Sequence, residues 1–400
     1  MLGYKIIISP DKFYNDASGA YASRKAAQLL SKMGHEVAIF SHETPVSEYD
    51  FYRHYHRKPF RGYANVLSKD YKKYFIEAIS DFQPDYVFFL GGIIDTPVVY
   101  MSECRNRNIK TVFLLLVQDF YCARQHAGLE ESSCTKCLTG SNLNSVVNRC
   151  LEKGGNKLLY FVNYQISQKL FTKELKNINY VLGSTDEQLG FYRKFGIPSN
   201  KCIKIPLFFP QERILTNYSS RGNYYVIIAQ NRPEKGAHLI SKIMEKIDSS
   251  IIIKAIFYNQ NEADIFVQKY PENKKYINNG NLEILPNVTM ENGAVELIAN
   301  SRGVINPTIW ATTTEFVFLE VLGIGKPIIC FDVGIHKEVI KNRVNVIVVR
   351  SGDFQKIGDE INHLFNDDEL YEEISVNAKK LFHRLTDDIV YTSVLKKIFI

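Results

Sequence analysis

Residues 306–340, NPTIWATTTEFVFLEVLGIGKPIICFDVGIHKEVI, decide the fold. They read as a strand end, a Thr-rich turn, a short helix, Gly-Lys-Pro, a buried strand, then Gly and a second helix start. Strand, helix and strand in this order are the repeat of parallel α/β layers. In open sheets of that kind ligands collect beyond the carboxyl ends of the strands. A helix start placed there turns unpaired N–H groups and a positive dipole end toward an anion. Glu320 is the polar position on an otherwise apolar helix, so it is expected to face a ligand.

The same alternation runs outward in both directions. Residues 5–9, 36–41, 86–90, 109–117 and 180–183 read as strands of a first half, the last of them closing it. Between the first two, Ser18-Gly19 is a turn, and Ala26, Leu29, Leu30 and Met33 fall at core spacing on a helix. Residues 224–229, 251–258, 282–285, 303–306, 327–331 and 344–349 read as strands of a second half. The stretch LFFPQERILTN, near 206–217, has no clear period and marks the boundary. The expected division is a lobe at 1–209, a lobe at 218–380, and a helix at 381–400 crossing back to the first lobe.

Four hundred residues exceed one ordinary core, which agrees with two lobes. The composition is globular, 45% hydrophobic and 23% charged. The net charge of +6 is too mild to demand nucleic acid, and none is expected as a partner. The chain opens with MLGYKIIISP, which reads as a strand and not as a basic-then-apolar leader. Apolar runs such as 111–117 are too short to span a bilayer. A cytoplasmic protein is expected.

Two cations, Arg232 and Lys235, follow the strand at 224–229 in the sequence NRPEKG. At a strand end they suit a diphosphate and the charge that builds on a leaving group. Ser18-Gly19-Ala20 opens a helix in the first half, where a small residue lets backbone approach a phosphate.

Taken in order, these segments resemble the retaining glycosyltransferases of the GT-B fold, in the large group 1 (family 4-like) family that carries a Glu-x7-Glu motif. Gly34-His35-Glu36-Val37 resembles the family's GHEV. GSTDEQLGFYRKFGIPSNKCIKIP, at 183–206, resembles the end of its first domain. RPEKG resembles its phosphate-binding Arg…Lys-Gly, LEVLGIGKPII its LEAMAxGxPVI, and GIHKEVI its GGxPEVI. The resemblance covers nearly the whole chain. It implies two Rossmann-like lobes facing a cleft, with a nucleotide-sugar donor (UDP-, GDP- or dTDP-sugar) bound mainly by the second lobe. It implies a glycan or lipid-linked acceptor at the first lobe, retention of configuration, and no metal in the chemistry. Bacterial surface polysaccharide synthesis is the setting it suggests by analogy.

Residue by residue, Arg232 and Lys235 would stabilise the leaving diphosphate, and Glu320 would accept hydrogen bonds from the ribose. The pattern departs from the family in three places. Thr312 stands eight positions before Glu320, where the family has its first glutamate. Only three positions separate Arg232 from Lys235, fewer than is usual. Gln118, before Asp119, stands where the family often has His, and an amide is neither acid nor base. Glu315 is not a simple substitute for the missing carboxylate. Five residues turn about 500° on a helix, so Glu315 and Glu320 face different ways. Thr312-x-x-Glu315 instead reads as a capping box. The hydroxyls and amides of Thr312, Thr313 and Thr314 are expected to meet the phosphates or the sugar. Gln118, Asp119 and His126 are the acceptor-side candidates. A nucleotide-sugar epimerase of the same fold and a non-catalytic sugar-nucleotide-binding protein are the alternatives.

Cys122, Cys134, Cys137 and Cys150 hold four of the seven cysteines in a short insertion. Cys-x2-Cys is a two-ligand hook, and two more thiolates complete a tetrahedral set, so a structural zinc ion or a [4Fe–4S] cluster is expected. A basic, aromatic stretch at 51–75, with Arg53, Arg57, Lys58, Arg61, Lys69, Lys72 and Lys73, suggests either a solvated helix face or peripheral contact with anionic membrane.

Overall fold

The computed structural model describes residues 3–15, 17–59, 69–93, 96–117, 119–124, 128–129, 132–139, 143–148, 150, 157–214, 220–310 and 315–399. The chain packs as two units. The first takes in Met1–Ala127, Thr135–Pro210 and Thr386–Ile400; the second takes in Gly128–Cys134 and Gln211–Leu385. Gly128–Cys134, expected in the first lobe, therefore groups with the second.

The first unit is built on strands β1 (Lys5–Pro10), β2 (Glu36–Ser41), β3 (Arg53–His56), β4 (Tyr86–Gly91) and β5 (Lys110–Leu115). A short antiparallel pair, β6 (Gly128–Leu129) and β7 (Ser132–Ser133), follows in sequence and belongs to the second unit. Strands β8 (Tyr180–Gly183) and β9 (Cys202–Lys204) complete the first sheet. Its order is β3-β2-β1-β4-β5-β8-β9, and every ladder is parallel. All six residues of β4 are buried, as a central strand covered on both faces requires. Two edge strands differ from the sequence reading. β3 lies where a helix face was expected, and β9 pairs outside β8, which was read as the closing strand. Both are short and carry half-exposed polar side chains, so neither has the apolar signature of a core strand.

The closing helix Asp388–Ile398 packs within this unit. Asp387 caps it by accepting the Ile389 amide. Lys25, on the helix Ser18–Lys32, pairs with Asp388 at 2.8 Å. Buried Tyr391 donates to the Leu207 carbonyl at 2.6 Å and accepts from the Phe209 amide at 3.2 Å. Tyr391 thus fastens the segment that ends the first unit's main run to its last helix.

The second unit holds β10 (Tyr224–Ile228), β11 (Ile252–Ile256), β12 (Leu282–Leu285), β13 (Gly303–Asn306), β14 (Ile328–Phe331) and β15 (Ile347–Val349). The order is β12-β11-β10-β13-β14-β15, again all parallel. β13 and β14 are buried throughout, and between them runs the helix Phe316–Ile324. That helix stops because Gly325 takes φ 82°, a left-handed conformation costly for any side chain. The amides of Gly325 and Lys326 then cap the last carbonyls. Lys326 of the Gly-Lys-Pro turn is buried. Its ammonium donates to the Ser220 and Ser301 carbonyls and the Tyr371 hydroxyl at 2.6, 2.9 and 2.9 Å. Burial pushes its pKa down to about 8. This lysine is a structural staple.

Replacing Tyr391 by Phe leaves the Phe209 amide and Leu207 carbonyl without that hydroxyl. We expect a loss of about 1–3 kcal/mol in urea unfolding, with Asp387→Ala costing about 1 kcal/mol.

Candidate active site

Among the loops at the carboxyl edge of the second sheet are those after β10, β13 and β14. The first two are in backbone contact. Gly236 has φ 80°, and a Cβ there would stand 2.1 Å from the Pro307 carbonyl oxygen, so only glycine fits. The Thr308 hydroxyl and the Ile309 amide both donate to the Glu234 carbonyl at 3.0 Å.

Charged groups lock the loops further. Lys235 Nζ donates to Glu315 Oε1 at 2.6 Å, and Asn306 Nδ2 donates to Glu315 Oε2 at 2.6 Å. His336 Nε2, in the turn after β14, lies 3.9 Å from the same Oε2. Arg232 pairs with buried Glu234. Both cations lie over the indole of Trp310, Arg232 at 5.4 Å and Lys235 at 4.9 Å from the ring centroid. Arg232 and Lys235 lie on the loop after β10, where the sequence reading put them. That reading did not anticipate that each would have an internal carboxylate.

Glu315 corrects the expectation of a capping box. The helix begins at Phe316, Glu315 is itself the N-cap residue, and its side chain makes no capping bond. The carboxylate turns instead toward Lys235, Asn306 and His336. Burial pushes its pKa up, but Lys235, His336 and the Asn306 amide outweigh burial and hold it below the usual range. His336 is fully buried, which lowers its pKa despite the carboxylate beside it.

Glu320 is 2% exposed. Its Oε1 accepts from Arg213 Nε at 2.8 Å, and Arg213 reaches Glu291 at 2.6 Å with its other arm. Burial raises the Glu320 pKa, and Arg213 offsets only part of that. Glu315 and Glu320 have separate partners. Thr312, Thr313 and Thr314 lie outside the described residues.

In the first unit, the helix Ser18–Lys32 starts after Ala17 with no side-chain cap. A Cβ on Gly19 would make only ordinary contact with Leu116, so packing does not demand glycine there. Asp119 lies in the segment after β5. It is 1% exposed, and its Oδ2 accepts from the Ile93 amide at 2.7 Å, bracing the loop after β4. Gln118 and His126 lie outside the described residues.

Among the described residues no three His, Cys, Asp or Glu side chains gather as a metal site, and no cysteine forms a disulfide. Cys122 packs against the apolar core, while the Cys150 thiol turns to the Asn148 carbonyl. Cys134 groups with the second unit and the other three with the first. In the basic stretch Arg53 pairs with Asp81, Lys58 with Asp70, Lys72 with Glu103 and Lys73 with Glu77, while Arg61 and the Lys69 side chain lie outside the described residues. Arg57 is buried, with its guanidinium on the Pro10 carbonyl. Among the described residues no helix is long and apolar enough to cross a membrane.

Residues 211–381 match the sequence family described as Glycosyl transferases group 1. The second unit is a glycosyl transferases group 1 domain. Comparison with curated proteins returns no match. Among solved structures, HepE of Anabaena in complex with UDP superposes with a TM-score of 0.71 at 11% identity, covering 99% of each chain. Sucrose-phosphate synthase of Thermosynechococcus elongatus gives 0.67 at 10% identity, over 99% of this chain and 98% of its own. WaaG, a glycosyltransferase involved in lipopolysaccharide biosynthesis, gives 0.65 at 13% identity, over 98% of each. The fold is therefore GT-B. Arg213, Asn306, Trp310 and His336 contact the candidate site residues, and sequence reasoning missed them. Trp310 carried a usable signal, as the one tryptophan of the chain set between a strand end and a helix start.

Arg213→Ala should leave the Glu320 carboxylate buried without its cation, destabilising the unit by about 3–5 kcal/mol in chemical denaturation. The double variant Arg213→Met/Glu320→Gln should cost clearly less than the sum of the single variants.

Proposed function

We propose that the protein transfers a hexose-type sugar from a nucleotide-sugar donor to a glycan or lipid-linked acceptor, with retention of configuration. The observation that carries this reading is the pair Arg232 and Lys235 at the carboxyl edge of the group 1 sheet, close to a helix start. Two cations there suit the diphosphate of the donor, and they oppose the charge that grows on it as the glycosidic bond breaks. Trp310 gives the same place a broad aromatic face. Glu320, with one oxygen held by Arg213, keeps the other for the ribose hydroxyls. Anabaena HepE, of the same fold, has been crystallised with UDP and with UDP-glucose, which supports a uridine nucleotide as the first donor to try. The cytoplasm, where sugar nucleotides are made, and surface polysaccharide synthesis are the setting this reading fits.

A non-catalytic binding protein is the second reading. The observation favouring it is that both cations are already matched by Glu234 and Glu315.

A panel of UDP-, GDP- and dTDP-sugars followed by Trp310 fluorescence and thermal shift should find one donor that binds. At a hundredfold excess over its dissociation constant that donor stabilises the protein by about 2.7 kcal/mol. Lys235→Ala should weaken it at least tenfold. Slow donor hydrolysis releasing the sugar with its original anomeric configuration, read by proton NMR, supports transfer with retention; binding without any turnover supports the second reading.

A further inference from the structure

The charges at the site cancel. Arg232 faces Glu234 and Lys235 faces Glu315, so a dianionic diphosphate would arrive at a neutral patch. Lys235 is 14% exposed, and the carboxylate that holds it is 5% exposed. For its ammonium to turn to a phosphate, Glu315 must give up, in a buried place, its only full counter-charge among the described residues. An unpaired buried carboxylate is costly.

The geometry supplies a replacement. His336 Nδ1 lies 2.9 Å from the Phe331 carbonyl oxygen. A carbonyl only accepts, so Nδ1 carries the proton, and the neutral ring presents a lone pair at Nε2. That Nε2 is buried, has no hydrogen-bond partner, and faces Glu315 Oε2 across 3.9 Å. Two acceptors face one another with no proton between them. The Phe318 ring lies against the imidazole, 4.7 Å between centroids, and restricts any other orientation.

We infer that donor binding is coupled to uptake of one proton by the Glu315–His336 pair, which frees Lys235 for the diphosphate. The inference rests on the glycosyltransferase reading above. The balance is simple. One proton comes from solvent to Nε2 and is shared with Glu315 Oε2. An imidazolium–carboxylate pair replaces the ammonium–carboxylate pair, and the ammonium moves to a phosphate oxygen. Glu315 and His336 act here as positioning residues for Lys235.

The groups facing this pair permit the exchange. Asn306, at the end of β13, keeps its hydrogen bond to Oε2 in either state. Cys330, on β14, stays a neutral thiol, because burial and the Glu315 charge push its pKa well up. Asp332, just after β14, favours the protonated ring, while Lys235 opposes it only until it departs. Arg232 is matched by Glu234 on the same loop, and Glu320, on the helix that follows Glu315, is matched by Arg213. Burial keeps His336 neutral in the resting protein, so the proton site is vacant before the donor arrives. Affinity should therefore fall as pH rises, by up to about tenfold per unit while one proton is taken up.

The test is calorimetry of the full chain with UDP-glucose, whose diphosphate diester does not titrate near neutrality. It is run from about pH 5.5 to about 8.5, at each pH in two non-phosphate buffers of different ionisation enthalpy, MES against bis-Tris at the acid end and HEPES against Tris at the alkaline end. Should UDP-glucose fail to bind, the best binder of the sugar-nucleotide panel takes its place. The difference between buffers counts the protons. Close to one proton taken up by the wild type within this range, and none by Glu315→Gln, is the result expected. Glu315→Gln should also bind about tenfold more tightly at the alkaline end, because its Lys235 is unclaimed. Binding with no proton uptake by the wild type overturns the inference, and that measurement decides alone if the variant does not fold. Undiminished uptake in Glu315→Gln overturns it as well, as does weaker binding by that variant. Absence of binding by every sugar nucleotide at every pH would instead overturn the glycosyltransferase reading on which the inference stands.

Discussion

Lys235 and Glu315 hold each other at 2.6 Å, and the shape of the site depends on that pair. Lys235 comes from the loop after β10, and Glu315 precedes the helix that follows β13. Asn306, at the tip of β13, and His336, beyond β14, close in on the same carboxylate. One buried anion thus ties together three strand ends. The Gly236 contact with Pro307 and the bonds to the Glu234 carbonyl add the backbone half of the same junction. A buried ion pair is poor evidence for stability, because removing two charges from water cancels much of their attraction. Its value here is placement. It holds an ammonium beside Trp310 and at the carboxyl edge of a parallel sheet, where an anionic ligand is expected.

A second anion, Glu320, follows the same logic in a separate compartment. Arg213 bridges it to Glu291 and lies only slightly beyond the start of the unit. The two carboxylates are five residues apart on one segment, yet they share no partner. The resting site therefore consists of matched charges throughout, and chemistry at it must begin with an exchange of partners.

Much of the fold was legible because parallel strands covered on both faces are continuous apolar runs. β1, β4, β5, β10, β13 and β14 are written as Ile, Val, Leu and Phe with few interruptions. The stop after Ile324 was legible because Gly-Lys-Pro allows little else. β3 and β9 were not, since edge strands as polar as RHYH and CIK have no core pattern to display. The site was half legible. Arg232 and Lys235 announce a cationic loop by type and place. Glu315 was misread because Thr-x-x-Glu satisfies a local rule, while the deciding partners lie 80 positions back and 9 and 21 positions away on other loops. Arg213 was missed for the same reason: its partners are 78 and 107 positions on. Close spacing in sequence suggested shared ligation by four cysteines; among the described residues Cys122 packs against the core and the Cys150 thiol turns to the Asn148 carbonyl.

The central claim is that Lys235 is the phosphate ligand and Glu315 its resting partner. A crystal structure of the chain with UDP bound tests it most directly. The account predicts Lys235 Nζ within hydrogen-bond reach of a phosphate oxygen, with Glu315 turned to His336 at a shortened Nε2–Oε2 distance. A diphosphate bound elsewhere, with the Lys235–Glu315 pair intact and His336 still at 3.9 Å, would contradict it.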